Sequence, residues 1–312
     1  MRRAPVLVLA GLATALSLVL VAASVGDDAA KLPNWQALIL GLVQGATELL
    51  PISSSGHLIL VPWLGDWEYL KTHDEFNQTF DVALHLGTVV AVGLYFAPDI
   101  AGLVRALFAS LAAMRIASPE QRLAWVVVVA TVPAALIGFL GEAVIAENLG
   151  EPWQIAIFLA VFALFLAWAD RRPVRLELTQ VSPQQGLLLG LAQSLSLMPG
   201  VSRSGITITT GRLLGLDRDS AARLSFLLLV PITAGAVIFK GLKDVILADL
   251  PSGLWGPFAV GVLASFGSGL VAILVLLGIV RRRSYDVFVG YRLVAALVVL
   301  LLIASGVRSS GF

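Results

Sequence analysis

The sequence predicts an all-α, polytopic membrane protein with an inverted-topology repeat. Three observations carry that prediction. The 312 residues are 58% hydrophobic and 13% charged, with a mean hydropathy of +0.91, whereas a soluble domain carries about 45–50% apolar and about 25% charged residues. Apolar runs long enough for a membrane-crossing helix, ~20 residues for ~30 Å of hydrocarbon, recur from end to end, without the ~10-residue alternation of barrel strands. Two more apolar stretches, 35–64 and 186–216, are each broken by a cluster of Pro, Ser and Gly.

The first segment places Arg2 and Arg3 before an apolar run from Val6 to Ala23, followed by Asp27 and Asp28. A cleaved signal peptide has the same layout, with Ala22, Ala23 and Ser24 as its small residues. The run is long enough to span, so residues 1–30 are read as an extra, uncleaved N-terminal helix. Residues 31–312 form one membrane-embedded domain, with repeat one at 35–169 and repeat two at 184–306. Spanning helices are expected at 80–97, 123–140, 153–169, 223–240, 255–280 and 286–306, with loops at 66–79, 98–122, 141–152 and 170–178.

The broken stretches follow a different rule. Pro51-Ile-Ser-Ser-Ser-Gly56 and Pro199-Gly-Val-Ser-Arg-Ser-Gly205 remove backbone donors and favour turns. Each stretch therefore reads as two half-helices in a re-entrant hairpin, too short to cross twice. A shift of 149 positions aligns Leu40-Gly-Leu-Val-Gln44 with Leu189-Gly-Leu-Ala-Gln193, and Ile52-Ser-Ser-Ser-Gly56 with Val201-Ser-Arg-Ser-Gly205. Polar residues matching in register point to an internal duplication. Three helices follow each hairpin, an odd number, so the hairpins enter from opposite sides.

Loop charges orient the chain. Arg105, Arg115 and Arg122, then Arg171, Arg172 and Arg175, then Arg281, Arg282 and Arg283 mark cytoplasmic loops. Asp66, Glu68, Asp74, Glu75, Glu142, Glu147 and Glu151 mark the outer side, and the C-terminus falls outside. A net charge of +1 gives no sign of a nucleic-acid partner. With no cysteine and 3 histidines, thiolate chemistry is excluded and a multi-histidine metal centre is disfavoured.

Polar groups inside a bilayer cost ~2.5–3.5 kcal/mol when charged and so mark function. Glu48, the run Ser53-Ser54-Ser55, His57, and Ser202-Arg203-Ser204 with Thr207 all lie in the two hairpins. The segments Gln44-Gly-Ala-Thr-Glu-Leu-Leu-Pro-Ile-Ser-Ser-Ser-Gly-His57 and Pro199-Gly-Val-Ser-Arg-Ser-Gly205 resemble the two signature motifs of the bacterial undecaprenyl-pyrophosphate phosphatase family. Phe80-Asp-Val-Ala-Leu-His-Leu-Gly-Thr88 and Ser225-Phe-Leu-Leu-Leu-Val-Pro231 are similar as well, and the likeness runs from Trp35 to the C-terminus. The resemblance implies a plasma-membrane enzyme that converts a C55 polyprenyl pyrophosphate to the monophosphate. It also implies an active site open to the outer face and sensitivity to a divalent cation, Mg²⁺ or Ca²⁺. Gln44 stands where many members have a first glutamate, so a paired-carboxylate clamp is missing, and the first helix is an addition to the family pattern.

The residues give the same site by physical argument. A pyrophosphate carries roughly two to three charges that need fixed donors in low dielectric. Arg203 supplies a planar fork, and the half-helices after Ser55 and from Ser204 aim their N-termini at the turns. Ser54 aligns with Arg203 in the other repeat and is the expected nucleophile, with His57 or Glu48 as base; direct activation of water by the same groups is the alternative. Glu48 is also read as a metal ligand or the partner of Arg203. Ser53, Ser55, Gly56, Gly200, Ser202, Ser204, Gly205 and Thr207 are expected to bind phosphate or cap the turns. Gln44 and Gln193, equivalent by the repeat, are expected to bond backbone groups or each other. His85 reads as structural and His73 as a solvated surface residue. A transporter of a lipid phosphate is the rival function, since such folds bind anions at broken helices.

Overall fold

The computed structural model describes residues 3–23, 32–67, 69–70, 73–241 and 255–311. In chain order the helices are α1 (Arg3–Ala23), α2 (Asn34–Leu49), α3 (Ser54–Gly65), α4 (Asp74–Tyr95), α5 (Ala97–Ala113) and α6 (Pro119–Asn148). They continue with α7 (Pro152–Asp170), α8 (Pro183–Ser194), α9 (Arg203–Leu214), α10 (Arg218–Lys240), α11 (Trp255–Val280) and α12 (Asp286–Ala304). Six of them are long and apolar enough to cross a membrane, and the bent pair α4–α5 makes a seventh if counted as one span. The chain is an all-α, multi-pass membrane protein. The expected boundary at residue 30, together with Ser24, Asp27, Asp28 and Glu68, lies outside the described residues.

Both broken stretches are split where the sequence placed the break. The half-helices α2, α3, α8 and α9 have 16, 12, 12 and 12 residues. At 1.5 Å per residue, helices of ~12–16 residues reach only ~18–24 Å. The second half-helix of each pair starts from a serine cap: the Gly56 N–H donates to Ser53 Oγ at 3.3 Å, and the Gly205 N–H to Ser202 Oγ at 3.0 Å. Both caps have positive φ, 76° at Ser53 and 75° at Ser202, a region costly for a residue with a β-carbon.

The first half-helix of each pair packs on a long helix from the other half of the chain, α2 on α11 and α8 on α6. Glycine makes both approaches possible. A β-carbon on Gly41 would lie 2.3 Å from the Gly261 carbonyl oxygen, and one on Gly190 would lie 2.5 Å from that of Ala130. Glycines 41 and 190 are related by the same 149-residue shift. Helix α4 packs on α11 and α10, and α7 packs on α12, around a core that includes Phe96, Val126, Leu166, Leu228 and Ile273. Helix α1 lies against α11, with Val6, Ala10, Ala13 and Ser17 buried and Leu7, Leu12 and Val19 exposed.

Two expected loops are corrected. Most of the 98–122 loop, as far as Ala113, belongs to helix α5, which turns away from α4 by 82° at Phe96. Pro98 has no N–H for the Leu94 carbonyl, which weakens the ladder where the chain turns, and proline is well placed in the first turn of the new helix. Its exposed Val104, Phe108 and Leu111, flanking Arg105, suit a helix lying along a membrane surface. The 141–152 loop is likewise mostly helix, because α6 runs on to Asn148. The run ends where Leu149 turns extended, with φ −128° and ψ 143°, and Gly150 follows at φ 132°.

Candidate active site

The site is assembled on one carboxylate. Glu48 sits one residue before the end of α2 and is buried. The hydroxyl of Ser54, the first residue of α3, donates to Glu48 Oε2. Arg203, the first residue of α9, donates to Oε1 from Nη2 at 3.0 Å and from Nε at 3.3 Å. Its Nη1 donates to the Ser225 carbonyl oxygen at 2.8 Å. Helix α4 supplies His85, whose Nε2 lies 3.5 Å from Oε2 and whose Nδ1 lies 2.7 Å from the Asp81 carbonyl oxygen.

The two turns that present these groups are tied to each other. The Gly200 N–H donates to Ser53 Oγ at 3.0 Å, and Ser204 Oγ donates to the Leu50 carbonyl oxygen at 2.9 Å. Fully buried Arg292 of α12 bridges both turns. It donates to the carbonyl oxygens of Pro51 at 3.2 Å, Gly200 at 2.9 Å and Val201 at 3.1 Å, and to Leu159 of α7 at 3.1 Å. Gly205 leaves room for it, since a β-carbon there would lie 2.8 Å from Arg292 Nη1. Arg292 was not singled out from the sequence. The available signal was an arginine inside the apolar run 286–306, but an arginine near a helix end ordinarily snorkels to the interface.

The other sequence-named residues separate into groups. Ser55, Ser202 and Gln193 line the same cavity as Glu48, Ser54 and Arg203. Ser53 and Ser204 serve the stitching of the turns. The Thr207 hydroxyl lies 2.8 Å from both the Arg203 carbonyl and the Ser225 hydroxyl, bracing the strap that holds the guanidinium. Gly56 allows the close approach of α3 to Gly200, whose own φ is 102°. Gln193 lies 3.5 Å from the Ala130 carbonyl oxygen, whereas the buried Gln44 amide has no hydrogen-bond partner among the described residues. His73 is exposed.

The two histidines change places relative to expectation. His57 is set apart from the carboxylate: Nδ1 is 2.6 Å from the Ser53 carbonyl oxygen and Nε2 is 2.6 Å from the Tyr291 hydroxyl, with the two rings stacked. It is not among the cavity-lining residues, whereas His85 is. His57 follows Ser54 by three positions and is close to it in sequence, but one helical turn carries it toward α12 instead. His85 gave no local signal, because only the packing of α4 brings it to Glu48.

The cavity has a volume of about 990 Å³. Its polar end holds Glu48, Ser54, His85 and Arg203, and its rim includes Asn77, Asn148, Glu151 and Lys240. The donor set does not fit a protein-held divalent cation. Both Glu48 oxygens are engaged, one of them by a guanidinium, and no group of three or more His, Asp or Glu side chains among the described residues could hold a metal ion. Hard cations take several oxygen ligands, and the residues here offer a cradle for an anion instead. Arg203 and the starts of α3 and α9, through Ser54, Ser55 and Ser202, line it, and a helix start with N–H groups beyond those its cap takes favours an anion.

Comparison with known proteins gives a consistent picture. Residues 37–298 match the model of the family described as bacitracin resistance protein BacA. The chain is 44% identical over 279 residues to the undecaprenyl-diphosphatase of Pelotomaculum thermopropionicum, covering 89% of this chain and 99% of that protein. It is 44% identical over 275 residues to the undecaprenyl-diphosphatase of Pelobacter propionicus, covering 87% and 97%. The corresponding protein of Moorella thermoacetica is 46% identical over 266 residues, covering 85% and 96%.

Proposed function

The chain belongs to the bacitracin resistance protein BacA family and is an undecaprenyl-diphosphatase, and we propose that it cleaves the lipid pyrophosphate by attack of Ser54, with Glu48 as base and Arg203 holding the phosphoryl group. The observation that carries this reading is the sharing of one carboxylate by Ser54 and Arg203. A serine is a weak nucleophile unless a base is within hydrogen-bond reach, and Glu48 Oε2 is that base.

In the first step the Ser54 proton passes to Glu48, Ser54 Oγ bonds to the terminal phosphorus, and the bond from that phosphorus to the bridging oxygen breaks. The electron pair leaves on undecaprenyl phosphate. Charge on the phosphoryl oxygens is met by the remaining N–H groups of Arg203 and by the N-termini of α3 and α9, donors fixed before reaction begins. The oxygen of a water then bonds to the phosphorus as the bond from Ser54 Oγ to phosphorus breaks; Glu48 returns its proton to Ser54 Oγ, and the water's protons leave with the inorganic phosphate. The water-only route leaves the hydroxyl bonded to the carboxylate without a task, and a carrier that only moves lipid needs no such pair.

Because the protein groups do not fit a metal, no step is assigned to one. The cavity rim is formed by the ends of α6 and α10 and the starts of α4 and α7. The loop-charge rule assigns that end of the bundle to the outer side, so the site takes substrate from the outer leaflet of the plasma membrane. The test is phosphate release from undecaprenyl pyrophosphate by the pure protein in detergent, with and without chelator. Release by wild type and its loss in Arg203→Ala support the reading, and normal turnover by Arg203→Ala removes it.

A further inference from the structure

The cavity does not end at its polar groups. It continues as an apolar limb between α6 and α10, past Ala134, Ala135 and Gly138 on one wall and Ile232, Gly235 and Ala236 on the other. Elsewhere in the bundle, glycines such as Gly41, Gly190 and Gly261 sit where a β-carbon would come within 2.3, 2.5 and 2.6 Å of a neighbouring atom. The two glycines of the apolar limb differ. A β-carbon on Gly235 would meet nothing within 4 Å, and one on Gly138 would meet only the Leu197 side chain, at 3.5 Å. Gly93, Gly102 and Gly278 also have open space beside them, but Gly138 and Gly235 are the ones that line the cavity, where the absence of a side chain leaves it wider.

The gap leads sideways. At its rim Phe139 and Phe239 meet edge to face, with ring centroids 5.9 Å apart, and they are 67% and 50% exposed. Beside them α6 and α10 present Leu140 and Ile238 outward, the surface such helices offer to hydrocarbon. A lipid whose head group is fixed at Ser54 and Arg203 cannot leave its chain in an aqueous mouth, because each CH₂ kept from water is worth about 0.8 kcal/mol. The chain must pass through a wall of the cavity, and this wall is the one with room.

We propose that the gap between α6 and α10 is the passage for the prenyl chain, with Gly138 and Gly235 setting its width and Phe139 and Phe239 packing on the first isoprene units. The proposal rests on the phosphatase reading and adds where the substrate's apolar part lies. Aromatic faces and small side chains suit a branched, unsaturated chain that must slide in and out, since they offer contact area without a side chain to displace.

The test compares undecaprenyl pyrophosphate with a soluble pyrophosphate carrying one five-carbon prenyl group, on wild type, Gly235→Leu and Gly138→Leu. Blocking the gap should lower the ratio of kcat/KM for the long chain over the short one by about tenfold or more, the range expected when a pocket rejects a few extra methylenes. Equal losses on both substrates, or none on either, overturn the proposal. Failure of wild type to hydrolyse the long chain would instead remove the phosphatase reading on which it rests. The chain has no cysteine, so Ala236→Cys gives a unique thiol as a second measurement on folded protein. Undecaprenyl phosphate should slow its reaction with a maleimide several-fold while inorganic phosphate does not, and labelling that ignores the lipid contradicts the assignment.

Discussion

Ser54 and Arg203, 149 positions apart in the chain, occupy the two oxygens of a single carboxylate, that of Glu48. Each opens the second half-helix of its own hairpin, and the two turns meet through Ser53, Ser204 and Arg292. Loss of either partner should therefore act on the chemical step rather than on substrate binding alone. Ser54→Ala should lower kcat by about 10³-fold or more, in the range for removing a group engaged in acid–base-assisted attack. Arg203→Lys keeps the charge but loses the fork, and should cost about 10²-fold in kcat. Steady-state kinetics on detergent-purified protein decide both, and a change confined to KM would contradict them.

The two histidines should behave differently. His57 holds the Ser53 carbonyl and the Tyr291 hydroxyl, so His57→Gln should lower Tm and the height of the pH–rate profile without changing the profile's shape. His85 lies beside Glu48 Oε2, and His85→Gln should change the shape. Full pH–rate curves for both variants are the measurement. An altered limb in His57→Gln, with none in His85→Gln, would reverse the assignment.

Positive φ at Ser53 and Ser202 predicts an unusual order of substitution. Alanine loses the cap hydroxyl and keeps the conformational cost, which is about 1–3 kcal/mol for such a residue. Glycine loses the hydroxyl but relieves the backbone. Gly should thus be better tolerated than Ala at both positions, reversing the usual ranking at helix interiors. Thermal unfolding of the four single variants checks it, and Ala at or above Gly at both sites would count against the turn geometry.

Arg292 has five carbonyl oxygens around it and no carboxylate among the described residues within hydrogen-bond distance. Arg292→Met should leave those oxygens short of donors, at about 1–3 kcal/mol for each group left unsatisfied, and should disorder both turns together. Gly205→Ala should give a milder form of the same defect, because its β-carbon displaces Nη1. Tm and kcat should fall in parallel in both variants. A fully active, stable Arg292→Met protein would contradict the bridging role.

Much of this arrangement is written locally in the chain. The hairpin breaks follow from Pro51 and Pro199 with their Ser/Gly neighbours. Ser54 and Arg203 come into view because the repeats align them, and Glu48 because a carboxylate one turn before a break in an apolar helix needs a partner. His85 and Arg292 are legible only through packing. His85 sits on a helix whose own pattern says core, and Arg292 sits near a helix end, where arginine usually reaches solvent. Helix α5 is hidden for a related reason: Arg105, Arg115 and Arg122 mark 98–122 as a cytoplasmic loop, yet charged residues are compatible with a helix lying along a membrane surface.

The most direct test is a rapid-quench experiment with undecaprenyl pyrophosphate in excess over enzyme, following undecaprenyl phosphate and inorganic phosphate separately. Attack by Ser54 releases the lipid monophosphate first, so its signal should lead inorganic phosphate by up to one equivalent of enzyme, with a phosphoryl group recoverable on Ser54 and no lead in Ser54→Ala. If both products rise together in wild type and Ser54→Ala still turns over at a comparable rate, Ser54 is not the nucleophile.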